Sequence, residues 1–339
     1  MFKIILLSVS LITSLSGFAN TVKVLDADIS FQAVHRMGPE IWASGTNGGI
    51  YSSKDNGLNW HKVTGPINTE QLQFRDIQPL DDGSVIIMSA GEGENSRIYR
   101  SENAGQDWQL QVQGSKTETF YDCMHFSDSQ HGWLYGDSDS QGLFILQTED
   151  GGRHWQRQTL PWPAQVGEGG FASSGSCLNR GANGDIYIGT GNTLQPRILH
   201  YHNAKWQSID SPIGGGEAAG IFSVQQAGES LYIFGGSLKN ENSPATAFRF
   251  NLTTQSWSQM PEVPLKGAIY GSALFYAKEQ LKILIANPNG VAIWQQGQQN
   301  WQMLSDNNIW SLACDDELGC VGVGKDGLLE LFTFAQTDN

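Results

Sequence analysis

The sequence predicts an all-β fold: a seven-bladed β-propeller of four-stranded antiparallel blades, with the ring closed by the N-terminal strand. Three observations predict it. First, a phrase ending in Trp recurs as Ser53-Lys-Asp55-Asn-Gly57-Leu-Asn-Trp60, Ser101-Glu-Asn103-Ala-Gly105-Gln-Asp-Trp108 and Thr148-Glu-Asp150-Gly-Gly152-Arg-His-Trp155. The Trp-to-Trp steps are 48 and 47 residues, and Trp206, Trp257 and Trp301 follow at steps of 51, 51 and 44. A repeat of this length marks an architecture of equivalent units. Second, an apolar strand phrase ending near Gly stands before each Trp, from Ile41-Trp-Ala-Ser-Gly45 to Ile283-Leu-Ile-Ala286. A seventh copy, Cys320-Val-Gly-Val-Gly324, has no Trp after it. Third, no segment sustains a 3.6-residue apolar period, so helix content should be close to nil.

Taken in order, residues 1–19 read as an export signal. Lys3 supplies a positive start, Ile4 to Leu15 is apolar apart from Ser and Thr, and Gly17-Phe18-Ala19 offers small residues for cleavage. The run is too short for a membrane span, and no later stretch is long enough for one. The expectation is a chain starting at Asn20, in a periplasm or secreted, with residues 20–339 as a single domain. Val22-Lys-Val-Leu25 is a strand without a blade, and the seventh blade lacks its last strand. Pairing it beside Leu328-Leu-Glu-Leu-Phe-Thr-Phe334 completes that blade and leaves only short edges.

The Trp phrase fits a turn between the third and fourth strands of a blade. Asp55 can accept from backbone N–H groups two or three residues on. Gly57 can supply a positive φ. Trp60 can bury its ring between blades while its indole N–H finds a carbonyl. Asn103 preserves the acceptor in the second copy. Cys314 and Cys320 flank a hairpin turn, where a cross-strand disulfide or two thiols fit. Cys123 and Cys177 hold equivalent positions on adjacent inner strands, and a bond or two buried thiols both remain open.

Composition narrows the partners. There are 40 Gly and 11 Trp, which suits many short strands joined by tight turns. Against 34 acids stand 20 bases, a net charge of −14, or −15 once Lys3 is removed. That disfavours nucleic acid and anionic membranes and permits cationic partners or metal ions.

The Ser-x-Asp-x-Gly-x-x-Trp phrase resembles the Asp-box, or BNR, repeat of sialidase-like propellers. The third blade, with Phe120-Tyr-Asp122-Cys-Met-His-Phe126, His131-Gly-Trp-Leu-Tyr-Gly136 and the phrase at Thr148–Trp155, is similar to the photosystem II assembly factor family (Ycf48-like or HCF136-like). The resemblance covers blades one to three and fades across blades four to seven. It implies an assembly or stability factor that binds other proteins. It also implies that Ser53, Asp55, Gly57, Trp60, Ser101, Asn103, Gly105, Trp108, Thr148, Asp150, Gly152 and Trp155 serve the turns, on the face opposite the usual site.

That site is expected at the channel, where the inner strands align a polar column of Gln32, Asp76, Asp122, Ser176, Ser223, Ser272 and Ser311. Arg75, Asp76, Tyr121, Asp122 and Trp310 are the candidate binding residues at the channel mouth. Two neighbouring carboxylates need water, a cation or Arg75 beside them. The entering loops carry Glu70, Glu118, Glu168, Glu217 and Glu262, and the next loops carry Glu92, Glu94, Asp137, Asp139 and Glu241, which suggests an acidic rim. A sialidase needs an Arg triad, and of nine Arg only Arg75 lies on an inner strand near the mouth. Asp76 and Asp122 could instead be the carboxylate pair of another glycosidase. Asp137-Ser-Asp139-Ser-Gln141-Gly142 opens like a calcium loop but has Thr148 where the bidentate Glu belongs. His200 and His202 face one side with no third ligand evident. No nucleotide or metal cofactor is expected. The resulting expectation is an exported, monomeric, non-catalytic scaffold binding a protein with a cationic surface. The alternative is a carbohydrate-active propeller, either glycoside hydrolase or lectin.

Overall fold

The computed structural model describes residues 18–181 and 184–334. Most of the expected export signal, residues 1–17, lies outside the described residues. Strand β1 (Phe18–Val24) comes first in the chain but belongs to the last blade. Blade one is β2 (Phe31–Met37), β3 (Glu40–Gly45), β4 (Ile50–Ser53) and β5 (His61–Lys62). Blade two is β6 (Phe74–Pro79), β7 (Val85–Ser89), β8 (Arg97–Ser101) and β9 (Gln109–Gln113). Blade three is β10 (Tyr121–Phe126), β11 (Gly132–Asp139), β12 (Gly142–Thr148) and β13 (Gln156–Arg157). Blade four is β14 (Leu178–Arg180), β15 (Ile186–Gly189), β16 (Arg197–His202) and β17 (Lys205–Asp210). Blade five is β18 (Ala219–Ala227), β19 (Ser230–Ser237), β20 (Thr246–Asn251) and β21 (Ser256–Gln259). Blade six is β22 (Gly271–Ala277), β23 (Gln280–Asn287), β24 (Gly290–Gln295) and β25 (Gln302–Ser305). Blade seven is β26 (Ile309–Asp315), β27 (Gly319–Gly324), β28 (Leu328–Phe334) and β1.

The chain is a seven-bladed propeller of four-stranded antiparallel blades. No α-helix occurs among the described residues, and none is therefore long and apolar enough to cross a membrane. β1 pairs antiparallel with β28, with Val22 opposite Glu330, so the N-terminal strand closes the ring as expected. Lys23 Nζ also donates to the Gly57 and Leu58 carbonyls of blade one, at 3.2 and 2.7 Å, which ties the closing strand to the first turn.

The near-continuous apolar runs follow from blade stacking. Successive side chains of a strand point to opposite faces, and here both faces meet a blade. Ile41 and Ala43 of β3 pack with Val321, Val323 and Leu329 of blade seven. Trp42 between them packs with Phe74, Ile77 and Val85 of blade two.

The Trp phrases form the turns from third to fourth strand. Asp55 Oδ1 accepts from Asn59 N–H at 2.8 Å, four residues on rather than two or three. The Ser53 hydroxyl donates to Asp55 Oδ1 at 2.9 Å and accepts from Gly57 N–H at 2.9 Å. The third copy repeats this: Asp150 Oδ1 accepts from His154 N–H and Thr148 Oγ1 accepts from Gly152 N–H, both at 2.9 Å. The Ser or Thr hydroxyl thus takes the close N–H, and the longer reach falls to Asp. Gly57, Gly105 and Gly152 have φ of +80°, +80° and +85°. Trp60 and Trp155 donate back to Gly57 and Gly152, at 3.1 and 3.0 Å, whereas Trp108 donates across blades to Thr64 at 2.9 Å. The hydrogen bonds hold Asp55 and Asp150 below the usual carboxylate range, at about 2. Asp150→Ala should cost about 1 kcal/mol through lost turn hydrogen bonds, and Asp55→Ala should lower the melting temperature in the same sense. Chemical denaturation of each variant checks this; two unchanged curves would leave these carboxylates no part in the turns.

Both cysteine pairs are bonded, Cys123 to Cys177 between blades three and four and Cys314 to Cys320 within blade seven.

Candidate functional site

Five inner strands carry a bulge near the channel mouth. Strand pairing skips Gln32, Arg75, Asp122, Phe222 and Trp310 in blades one, two, three, five and seven. A bulge adds one residue to a strand and re-aims its side chain. The polar column read from the sequence therefore divides. Asp76, Ser223 and Ser311 are the residues after the bulge, and Ser272 is their counterpart in the unbulged β22. Gln32 and Asp122 are bulge residues themselves. Ser176 lies ahead of β14.

The residues after the bulge lace blades together. Asp76 Oδ2 accepts from Met124 N–H of blade three at 2.8 Å, and Gln78 Nε2 donates to Oδ1 at 3.0 Å. Ser311 Oγ accepts from Val34 N–H of blade one at 3.2 Å. Ser223 and Ser272 share a hydrogen bond of 2.7 Å. Inner-strand N–H groups on the channel edge have no ladder partner, so a short acceptor from the preceding blade satisfies them.

The bulge residues instead hold a segment of blade four across the channel. Asp122 Oδ2 accepts from Gly170 N–H at 2.9 Å. Arg75 Nη1 donates to the Ala172 carbonyl at 2.6 Å. Ser173 and Ser174 donate to the Tyr270 carbonyl of blade six at 3.0 and 2.7 Å, and Ser311 donates to the Ser174 carbonyl at 3.2 Å. Gly175, with φ +75°, ends the crossing, and a Cβ there would stand 2.7 Å from Asp76 Oδ2. Residues 170–175 thus plug the ring, pinned from blades two, three, six and seven.

Above the plug lies a cavity of about 250 Å³, lined by Arg75, Trp310, Phe171, Phe222, Tyr270 and Leu238 among others. Phe171 and Phe222 stack with ring centroids 3.6 Å apart, and Tyr270 lies 6.4 Å from Phe222 and 6.3 Å from Trp310. No carboxylate lies within ion-pair distance of Arg75 among the described residues; its other hydrogen bonds go to Gln73 Oε1, at 3.2 and 2.5 Å. Burial pulls its pKa down, against an upward pull from Asp122. The floor is therefore aromatic with one positive charge.

Of the five candidates, Arg75 and Trp310 line the cavity. Asp76, Tyr121 and Asp122 do not. Asp76 and Asp122 are buried, at 2% and 1% exposure, each with its Oδ2 on a backbone N–H group. Tyr121 is buried against Phe144, and burial raises its phenol pKa. Phe171 and Phe222 were not singled out in the sequence. A signal existed: an aromatic residue precedes the Ser column at Phe222-Ser223 and Tyr270-Gly-Ser272, as Trp310 does at Ser311.

Burial dominates the titration of these acids. Asp76 is pushed from 3.8 up to about 7, Asp137 up to about 6, and Asp122 is raised by burial and by the neighbouring Asp137. The folded state binds the Asp76 proton more tightly than the unfolded chain does. Its contribution to stability is fully present below pH 3.8 and is lost as pH rises through about 7. Asp76→Asn should therefore gain stability relative to the parent as pH rises across that window, in urea unfolding measured at successive pH values. Parallel profiles would contradict it.

The rim is less acidic than its composition suggests. Glu168 is buried in a two-bond pair with Arg197, both at 2.7 Å. Asp139 holds Arg157 and Lys116, each at 2.9 Å, where the calcium-like loop was read. Glu217 pairs with Lys239. Glu70, Glu92, Glu94, Glu118 and Glu262 are exposed and have no cation at ion-pair distance among the described residues.

Comparison with known proteins adds a fold-level context. The Kelch motif matches residues 222–264, most of blade five, a span outside the three Trp phrases with Asp or Asn. No curated protein matches the chain in sequence. The structure of YCF48 bound to D1 peptide is similar to this one at 13% identity and TM-score 0.69, over 93% of this chain and 97% of that one. YCF48 from Cyanidioschyzon merolae gives 13% and 0.67, over 93% and 98%. The Niastella koreensis GH74 enzyme gives 10% and 0.61, over 89% of this chain and 52% of its own. At these identities the likeness carries the seven-bladed fold and nothing finer.

Proposed function

We propose that this chain is an exported, non-catalytic propeller that binds a protein partner at the channel mouth, as an assembly or stability factor of an envelope complex. The observation that carries the reading is the cavity of Arg75, Trp310, Phe171, Phe222 and Tyr270. Flat aromatic surface beside an Arg without a carboxylate is what protein interfaces use as an anchor. The partner segment presents an apolar or aromatic side chain to the rings and an acidic group to Arg75. Its flanks are basic, to suit the exposed Glu70, Glu92, Glu118 and Glu262. The solved YCF48 structure with a bound peptide shows that a similar ring takes a peptide ligand. A glycosidase needs two carboxylates open to substrate, and Asp76 and Asp122 are closed by backbone hydrogen bonds.

A photo-cross-linking residue at Leu238, on the cavity wall, should capture one protein from the native envelope fraction. The same residue at Lys54, on the turn face, should not. Capture from Lys54 alone, or binding of a soluble glycan that Trp310→Ala abolishes, would overturn the proposal.

A further inference from the structure

His200 and His202 do have a third neighbour. In the β15–β16 ladder Ile186 lies opposite Tyr201 and Tyr187 opposite His200. That register sets Asp185, just before β15, across from His202. Side chains alternate between faces along a strand, so Asp185, Tyr187, His200 and His202 share one face. One donor atom from each of Asp185, His200 and His202 lies within 4.8 Å of the others. His202 Nδ1 is 2.6 Å from Asp185 Oδ1, and His200 Nε2 is 3.3 Å from Asp185 Oδ2.

We propose that Asp185, His200 and His202 form a binding site for a divalent transition-metal ion, with Zn²⁺ the best-matched ion. Two imidazoles and one carboxylate are a nitrogen and oxygen donor set that zinc takes, at about 2.0–2.2 Å per bond. Donors around such an ion stand about 3–3.5 Å apart, so the 2.6 Å pair must open, the 3.3 Å pair already fits, and the two imidazole nitrogens, within 4.8 Å of each other, must close on the ion by side-chain rotation. Calcium and magnesium are disfavoured, because they prefer oxygen donors. His200 is buried, and His202 has 39% of its side chain exposed, which leaves water a fourth position on that side.

The outer groups suit this role. The Tyr187 hydroxyl lies 3.3 Å from Asp185 Oδ2, and its ring stacks on His200 with centroids 4.5 Å apart. The Asn203 amide lies 2.7 Å from His202 Nε2. Turned over, that amide accepts the Nε2 proton when Nδ1 holds the metal. The ion would clip the start of β15 to the end of β16. Without metal, the same three groups form a His–Asp–His hydrogen-bond network.

The test uses the full chain, stripped with a chelator and desalted. It is titrated with zinc sulfate by calorimetry at neutral pH. One equivalent should bind, and zinc should raise the melting temperature of the parent. His202→Ala and Asp185→Asn should each weaken binding by more than about tenfold, and Asn203→Ala by about tenfold. His154→Ala, at the separate His154–Asp150 pair, should change nothing. Circular dichroism confirms that each variant is folded, and Asp185→Asn keeps the side-chain shape. Cobalt on the unaltered chain gives a second reading, visible d–d bands of an imidazole-bound ion, independent of any variant. Absence of tight zinc binding by the parent, or equal binding by folded His202→Ala and Asp185→Asn, overturns the proposal and leaves the hydrogen-bond network alone.

Discussion

Deleting residues 20–24 is expected to open the ring and cost on the order of 5 kcal/mol, enough to consume much of the stability of a single domain. The deletion removes most of the ladder between β1 and β28, from Asn20 opposite Phe332 to Val24 opposite Leu328. It leaves the outer edge of blade seven unpaired. It also removes Asn20, whose amide donates to Glu330 Oε1 at 3.0 Å. Glu330 is buried at 1% exposure, and Ser305 and Asn307 serve only its other oxygen, at 2.7 and 3.0 Å. An under-served buried carboxylate adds to the loss. Lys23 goes too, and with it the tie to the blade-one turn. Urea unfolding of the deleted and parent chains measures the difference. An unchanged midpoint would show that blade seven stands without its fourth strand.

Removing the Cys123–Cys177 bond is the second large effect. The bond closes a loop with a sequence separation of 54 and sits at 0% exposure in the core between blades three and four. Chain-entropy reasoning gives about 4 kcal/mol for a loop of that length. The Cys314–Cys320 bond, with a separation of 6, is worth about 2 kcal/mol by the same reasoning. The double variant Cys123→Ala with Cys177→Ala should therefore lose more than Cys314→Ala with Cys320→Ala. Thermal melts of both, with and without reductant, test the order. A reversed order would mean that the bond between blades three and four adds little beyond the packing around it.

The blade architecture was legible because its determinants are local. Ser53, Asp55, Gly57 and Trp60 make one turn from eight consecutive residues, and apolar runs such as Ile41–Gly45 mark strands buried on both faces. The unpaired Val22–Leu25 strand was legible by elimination, since blade seven lacked one. The bulges were not. A period of two residues carries no mark of one inserted residue, so Asp122 and Asp76 were placed in one ring although the bulge sets them one residue apart. The plug was hidden for a related reason. Residues 170–175 lie in a loop outside the repeat, and their partners Arg75, Asp122, Tyr270 and Ser311 are far apart in sequence. Arg75 and Trp310 could be chosen by position alone. Phe171 and the closure of the two carboxylates depend on the plug.

The central claim is that the channel mouth, not the turn face, holds the partner. The most direct test is the affinity of the cross-linked partner, once purified, for three folded proteins: the parent, Trp310→Ala with Tyr270→Ala, and Asp55→Ala with Asp150→Ala. Truncating two central aromatic anchors should weaken binding by about 2 kcal/mol or more, some thirtyfold. The turn variant should bind as the parent does. Equal affinity for the parent and the mouth variant, with loss in the turn variant, would contradict the account and move the functional face to the opposite side of the ring.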